Sequence, residues 1–180
     1  MRLIFVRHGQ TDFNKNKLPQ GQEIDASLND TGIKQAEEAA KSLPSDIDFI
    51  IASPLKRAAQ TAEILNKVLN KRIEFSDDIK ELRYGNLAGK PWSQIAEILN
   101  DKDVKEKDDN ITFDYSKHGG DSAESFKARV ARFAKEMQNK YPDKTILVAA
   151  HGGVIDAMHI LFPQKEKVIT DNASIHEFDF

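Results

Sequence analysis

Uninterrupted apolar runs alternate along this chain with longer stretches whose apolar residues recur every three or four positions. The runs are Leu3-Ile4-Phe5-Val6, Ile47-Asp48-Phe49-Ile50-Ile51-Ala52 and Thr145-Ile146-Leu147-Val148-Ala149-Ala150. Short apolar runs bounded by turn formers predict strands buried on both faces. Arg72 to Phe75 is a shorter candidate, and the alternating tail from Ser174 to Phe180 predicts an edge strand. Helical spacing begins at Asp30 or Thr31, with Ile33, Ala36, Ala40 and Leu43, and returns at Ala58, Thr61, Leu65 and Val68. A long amphipathic helix follows Asp121-Ser122 through Phe126, Val130, Phe133, Met137 and Tyr141. His151 opens another through Val154, Met158 and Leu161, which Pro163 stops. Gln10 to Asn29 reads as a polar loop. Strands alternating with helices predict an α/β fold of three α/β/α layers, with a mostly parallel central sheet and helices on both faces.

The segment from Lys90 to Gly120 breaks this rhythm. It offers a short helix from Trp92 to Leu99, then a charged stretch from Asp101 to Asp109 with five acids and three lysines. The charged stretch reads as a solvated loop. An insertion of this length between regular units predicts a small cap or lid. Residues 1–180 are therefore expected to form a single domain, with 90–120 as its cap.

Composition narrows the function classes. A net charge of −3 with no lysine/arginine block gives no sign of binding to nucleic acid or an anionic membrane. The absence of cysteine removes disulfides, thiolate nucleophiles and cysteine metal sites. Only four strongly apolar residues precede Arg7-His8, fewer than a signal peptide or membrane span needs, so a cytoplasmic location is expected. Oligomeric state has no signature in the sequence.

Two of these strands run straight into a histidine followed by glycine: Arg7-His8-Gly9-Gln10-Thr11 and His151-Gly152-Gly153. Groups just past the carboxyl ends of strands in an open α/β sheet lie where ligands bind. Phosphoryl transfer needs stabilised oxygens, a nucleophile and a proton donor for the leaving oxygen. Arginine's planar fork suits the first task, and neutral imidazole suits the second without a metal. Arg7 and Arg57 can supply the fork, His8 or His151 the nucleophile, and Glu81 the proton. Arg57 stands in the first turn of a helix, and helix N-termini favour anions. A metal site from His8, Asp12 and His151 is disfavoured, because two nearby arginines would repel a cation. His118, His159 and His176 lack comparable context and read as structural. Ser122 reads as a helix cap, Trp92 as packing in the cap or lining the pocket, and Arg83 as surface or pocket mouth.

At these residues the chain resembles the histidine phosphatase superfamily, also called phosphoglycerate mutase-like. Arg7-His8-Gly9-Gln10-Thr11 and Asn14 match its first signature, and Asp25, Leu28, Gly32, Gln35 and Ala36 resemble its second block. Ser53, Leu55, Arg57, Thr61 and Ala62 match a third, while Glu81, Gly85, Gly89 and Trp92 fit the acid-bearing segment. Gly119-Gly120-Asp121-Ser122 resembles a Gly-Gly-Glu-Ser block with aspartate for glutamate, Arg129-Val130 completes it, and His151-Gly152-Gly153 closes the series. The resemblance implies that His8 forms a phosphohistidine and Glu81 protonates the leaving oxygen. It further implies that Arg7, Arg57, His151 and Asn14 hold the phosphoryl oxygens, with no metal and no cofactor.

The expected activity is then metal-independent hydrolysis of a small phosphorylated metabolite. A phosphoglycerate mutase and a non-catalytic phosphoester-binding regulator are the alternatives. Family mutases are typically longer, and regulators usually lose the nucleophile or the acid. Phosphohistidine-protein phosphatases tend to be shorter, and an α-ribazole phosphatase is neither singled out nor excluded. Many family phosphatases carry arginine a few residues after His-Gly-Gly, where this chain has Val154-Ile155-Asp156. An acid facing the pocket there would make its outer part less attractive to anions.

Overall fold

A computed structural model describes residues 1–100, 110–163 and 169–180. The strands are β1 (Arg2–Arg7), β2 (Phe49–Ala52), β3 (Ile73–Phe75), β4 (Thr145–Ala150) and β5 (Ile175–Asp179). The helices are α1 (Asp12–Lys15), α2 (Asp30–Lys41), α3 (Lys56–Leu69), α4 (Trp92–Leu99), α5 (Ala123–Lys140) and α6 (Gly152–Leu161). One sheet runs β3-β2-β4-β1-β5, parallel except for β5, which pairs antiparallel with β1 at the edge. The chain thus has the mixed α/β fold expected of it.

The central strands are apolar throughout because each face meets a helical layer. Leu3, Phe5, Phe49, Ile51, Ile146 and Val148 pack into one core with Phe126, Val130 and Phe133 of α5 and Val154 and Met158 of α6. Ile4, Val6, Ile50, Ala52, Leu147 and Ala149 face the other way, against Ala39 and Ala40 of α2 and Ala62 and Leu65 of α3. Period-two alternation within a continuously apolar strand gives both cores from the same residues. No helix among the described residues is long and apolar enough to cross a membrane.

The structure departs from the sequence expectations in particulars. The polar stretch after β1 contains the one-turn helix α1, made by a reciprocal cap. Asn14 N–H donates to Thr11 Oγ1 (3.2 Å), and Thr11 N–H donates to Asn14 Oδ1 (3.0 Å). Ile33 and Val68 match helical spacing, yet are 39% and 66% exposed, since α2 turns its alanines inward and Val68 lies in the last turn of α3. Leu43 and Tyr141 fall just past the ends of α2 and α5. The short helix α4 forms as expected, and the charged stretch Asp101 to Asp109 lies outside the described residues.

The turn leaving β1 is pressed onto the first turn of α2. Gln10 N–H donates to Gln35 Oε1 (2.9 Å), and Asn29 N–H donates to the Gln10 carbonyl (3.0 Å). A Cβ on Gly9 would stand 2.3 Å from the Gly32 carbonyl oxygen, and one on Gly32 2.1 Å from that of Gln10. Both contacts are with backbone, which has nowhere to retreat. Gly9→Ala and Gly32→Ala should each cost about 2 kcal/mol or more by chemical denaturation. Gly119→Ala, in open space at φ +79°, should cost only about 1 kcal/mol. Equal losses at all three positions would refute the close-packing account.

Candidate active site

Parallel pairing brings three strand ends to one level. β1 and β4 pair in register from Arg2 opposite Thr145 to Arg7 opposite Ala150, so the next residues, His8 and His151, emerge side by side. His8 N–H donates to the Ala150 carbonyl (2.9 Å), and the two imidazoles meet edge to face with centroids 5.3 Å apart. β2 ends one step over, where Ser53 N–H donates to the Ala149 carbonyl (3.0 Å). Ser53 Oγ then lies 2.8 Å from His151 Nε2.

His8 Nδ1 is 2.7 Å from the Gly9 carbonyl. A carbonyl only accepts, so Nδ1 carries the hydrogen and Nε2 keeps its lone pair. Burial, reinforced by Arg57 and then Arg7, pushes the His8 pKa well below the usual imidazole value. Burial, then Arg57, His8 and Arg7, do the same to His151. Both rings are therefore neutral at pH 7.

The arginines stay cationic and are fixed by carbonyls. Arg57, 1% exposed in the first turn of α3, donates through Nη2 to Gly21 (2.7 Å) and through Nη1 to Ile24 (3.1 Å). Arg7 Nη1 donates to the carbonyl of Thr170. Arg7 Nε, Arg57 Nε and His151 Nδ1 are buried with no hydrogen-bond partner among the described residues. A buried unsatisfied donor costs about 1–3 kcal/mol, and the two arginine Nε groups belong to residues lining one cleft.

That cleft encloses about 450 Å³ and is lined by Arg7, His8, Asn14, Arg57 and Glu81, with Gly152 and Gly153 at the start of α6. Glu81 faces the helix start, accepting from Leu82 N–H (2.9 Å) through Oε1 and from Gly153 N–H (3.4 Å) through Oε2. A Cβ on Gly153 would stand 2.5 Å from Glu81 Oε1, so glycine is what lets the carboxylate reach the helix. Asn14 Oδ1 is taken by Thr11, which leaves its NH₂ as a donor. The six residues singled out in the sequence thus converge on the cleft or on His8, with His151 fully buried against the His8 ring.

Two residues to which sequence reasoning gave no role touch the histidines. Asn172 Nδ2 donates to the His8 carbonyl (3.0 Å), and Ser53 bonds His151. Gln20 lines the cleft almost buried, its Oε1 without a partner among the described residues. Ser53 stood in a matched block, but Asn172 looks like any polar turn residue before an edge strand. Tyr84, Trp92 and Ile111 give the cleft an apolar wall, and Asp156 faces it while accepting from Thr170 Oγ1 (2.7 Å). Asp12 bonds Asn29 instead (3.1 Å), and Arg83 is half exposed beside Glu23 (3.5 Å). Ser122 caps α5, accepting from Ser125 N–H (3.1 Å).

Residues 3–180 match the histidine phosphatase superfamily (branch 1), and the chain belongs to that family. It is 36% identical over 157 residues to the uncharacterized phosphatase PhoE of Bacillus subtilis, covering 87% of this chain and 74% of that protein. It is 30% identical over 171 residues to a metal-independent phosphoserine phosphatase of Arabidopsis thaliana, covering 90% and 68%. Among solved structures, mycobacterial glucosyl-3-phosphoglycerate phosphatase in complex with VO3 superposes with a TM-score of 0.81 at 27% identity, covering 98% of this chain and 91% of that one. The chain is accordingly a phosphatase of this superfamily, a phosphoric monoester hydrolase.

The depressed histidine pKa values give folding a pH dependence of definite sign. Unfolded histidine takes up a proton near pH 6.5; folded His8 and His151 do so far lower, and folded His176 at about 4. Above pH 6.5 neither state binds the proton and stability is unaffected. As pH falls below it, the unfolded chain is favoured. The urea midpoint should therefore decline from pH 7 to pH 5, and less steeply in a His8→Asn/His151→Asn double variant. An unchanged slope would refute the assignment.

Proposed function

We propose that this chain hydrolyses a small phosphorylated metabolite without a metal, through a phosphohistidine on His8 with Glu81 as proton donor. The observation that carries the reading is the pair of buried arginine Nε donors without acceptors among the described residues, beside a neutral, tautomer-fixed imidazole. A phosphoryl group offers the oxygens those donors lack. His8 Nε2 attacks phosphorus as the bond to the leaving oxygen breaks, and Glu81 gives that oxygen its proton. The hydrogen bond from Nδ1 to the Gly9 carbonyl stabilises the positive charge that develops on the ring. Glu81, now a carboxylate, takes a proton from water as the water attacks phosphorus. The P–N bond then breaks and His8 returns neutral.

Arg7, Arg57 and His151 hold the phosphoryl oxygens in this scheme, joined by the Asn14 NH₂. The charge this demands is supplied by guanidinium groups, which would repel a divalent cation at the same place. The cap of a single domain is drawn from the described parts of 90–120, a reading supported by Trp92 and Ile111 in the cleft wall. Relatives named for phosphoserine and glucosyl-3-phosphoglycerate support a small metabolite as substrate.

Phosphate release from a panel of phosphorylated metabolites, with chelator present, tests this reading. His8→Ala should abolish release by at least about a thousandfold. Transfer between phosphoglycerates without release would indicate a mutase, and binding without turnover a regulator. Glu81→Gln should lower kcat/KM about a hundredfold or more for alkyl phosphates, and less than about tenfold for p-nitrophenyl phosphate, whose leaving group needs little protonation. Equal losses on the two esters would remove Glu81 from the acid role.

A further inference from the structure

Glu81 stands in a stretch, residues 80–84, that has no regular secondary structure. A general acid must nonetheless hold its place closely, because a displacement of about 1 Å can cost about a hundredfold in rate. The backbone of this stretch is held from outside by one side chain of α5. Arg129 Nη1 donates to the carbonyls of Asp78 (2.9 Å) and Lys80 (2.7 Å), and Nη2 donates to that of Glu81 itself (3.2 Å). The guanidinium lies over the Phe126 ring, 5.0 Å from its centroid. Asp121 stands 3.5 Å from Arg129 Nη2 and completes the clamp. Its Oδ2 accepts from Arg83 N–H (3.0 Å), while its own N–H donates to the Arg83 carbonyl (3.0 Å). Gln22 Nε2 also donates to the same Glu81 carbonyl (2.7 Å).

We infer that Arg129, with Asp121 as its counter-ion, is a positioning residue that holds the Glu81 backbone so that its carboxylate meets the α6 start. The kinetic part of this inference rests on the phosphatase reading given above. Three carbonyls held by one planar group is a task for a guanidinium fork, and an ammonium has no such geometry. The cation sits on the backbone side of Glu81, so it fixes the acid without pairing with the carboxylate, which is left to Leu82 and Gly153. It also explains why aspartate serves at position 121 where the family block has glutamate. Asp121 reaches both Arg83 and Arg129 from a backbone that already pairs with Arg83.

The test compares Arg129→Met, Arg129→Lys and Arg132→Met. Arg132 lies on the same helix and pairs with the Asp78 carboxylate, so it serves as the control for α5 packing. In Arg129→Met, kcat/KM for an alkyl phosphate should fall about thirtyfold to a hundredfold, and for p-nitrophenyl phosphate less than about fivefold. Arg129→Lys should lie between that variant and the native chain, and Arg132→Met should change both esters less than about threefold. Amide hydrogen exchange at Leu82 and Gly153 should quicken at least about tenfold in Arg129→Met while that of β1 and β4 holds. Equal losses on both esters, or unchanged exchange at those two amides, would overturn the inference. A native chain inactive on every ester would overturn the phosphatase reading alone, and the exchange data would still decide the positioning claim. Should Arg129→Met fail to fold, Arg129→Lys carries the same comparison.

Discussion

The in-register parallel pairing of β1 with β4 is the constraint on which the rest of the molecule turns. It places His8 and His151 at the same height, one residue past their strands, with rings 5.3 Å apart. A slip of one residue would turn every strand side chain to the opposite face. That would put Leu3 and Phe5 against the α2 and α3 layer and break both cores at once. The two histidines are therefore held together by the burial of aliphatic side chains some distance away. β2 joins the same frame through β4, which brings Ser53 to His151 and starts α3 where Arg57 enters the cleft.

Burial acts in the same direction on the two kinds of base at this site, with opposite consequences for their charge. Both imidazoles and the Arg57 guanidinium have their pKa values lowered by desolvation. Histidine starts near 6.5 and so loses its charge, whereas arginine starts far enough above neutrality to keep it. One low-dielectric site thus contains permanent cations and neutral nucleophilic rings without any further device. Carbonyls from the 21–24 loop and from Thr170 anchor the guanidiniums but leave Nε of each without an acceptor among the described residues. The positive charge is fixed before any ligand arrives, which is the preorganisation that electrostatic catalysis requires.

Most of this was legible in the sequence wherever a side chain's environment follows from its own neighbours. Apolar runs fixed the strands, helical spacing the helices, and the His-Gly pairs the strand ends where the cleft opens. What stayed hidden depends on contacts between residues far apart in the chain. Ile33 keeps helical spacing and still faces solvent, because α2 packs through its alanines. Asn172 reaches the His8 carbonyl only because β5 runs antiparallel beside β1 and returns the chain there. The α1 turn came from a Thr-x-x-Asn cap whose helix was too short for any periodicity to show.

On the proposed mechanism, chemistry and selectivity lie on different parts of this fold. His8, His151, Ser53 and Arg57 stand at strand ends or in the first turn of a helix, locked by two cores, and tolerate little change. The outer cleft is built from segments between regular elements: Leu18 and Pro19, Tyr84, Ile111, and the stretch from Ile169 to Asn172. Such segments carry fewer packing obligations and vary more freely. A TM-score of 0.81 at 27% identity is what this division produces, a common frame beneath diverged surroundings. It also accounts for relatives bearing names as different as phosphoserine and glucosyl-3-phosphoglycerate phosphatase, since a site grafted on a shared fold takes its substrate from its loops. Asp156 marks the boundary between the two parts. It projects from the rigid start of α6, yet its Thr170 partner lies in the loop whose carbonyl also holds Arg7. A change in the outer wall at Thr170 is therefore felt by the Arg7 guanidinium through a single residue.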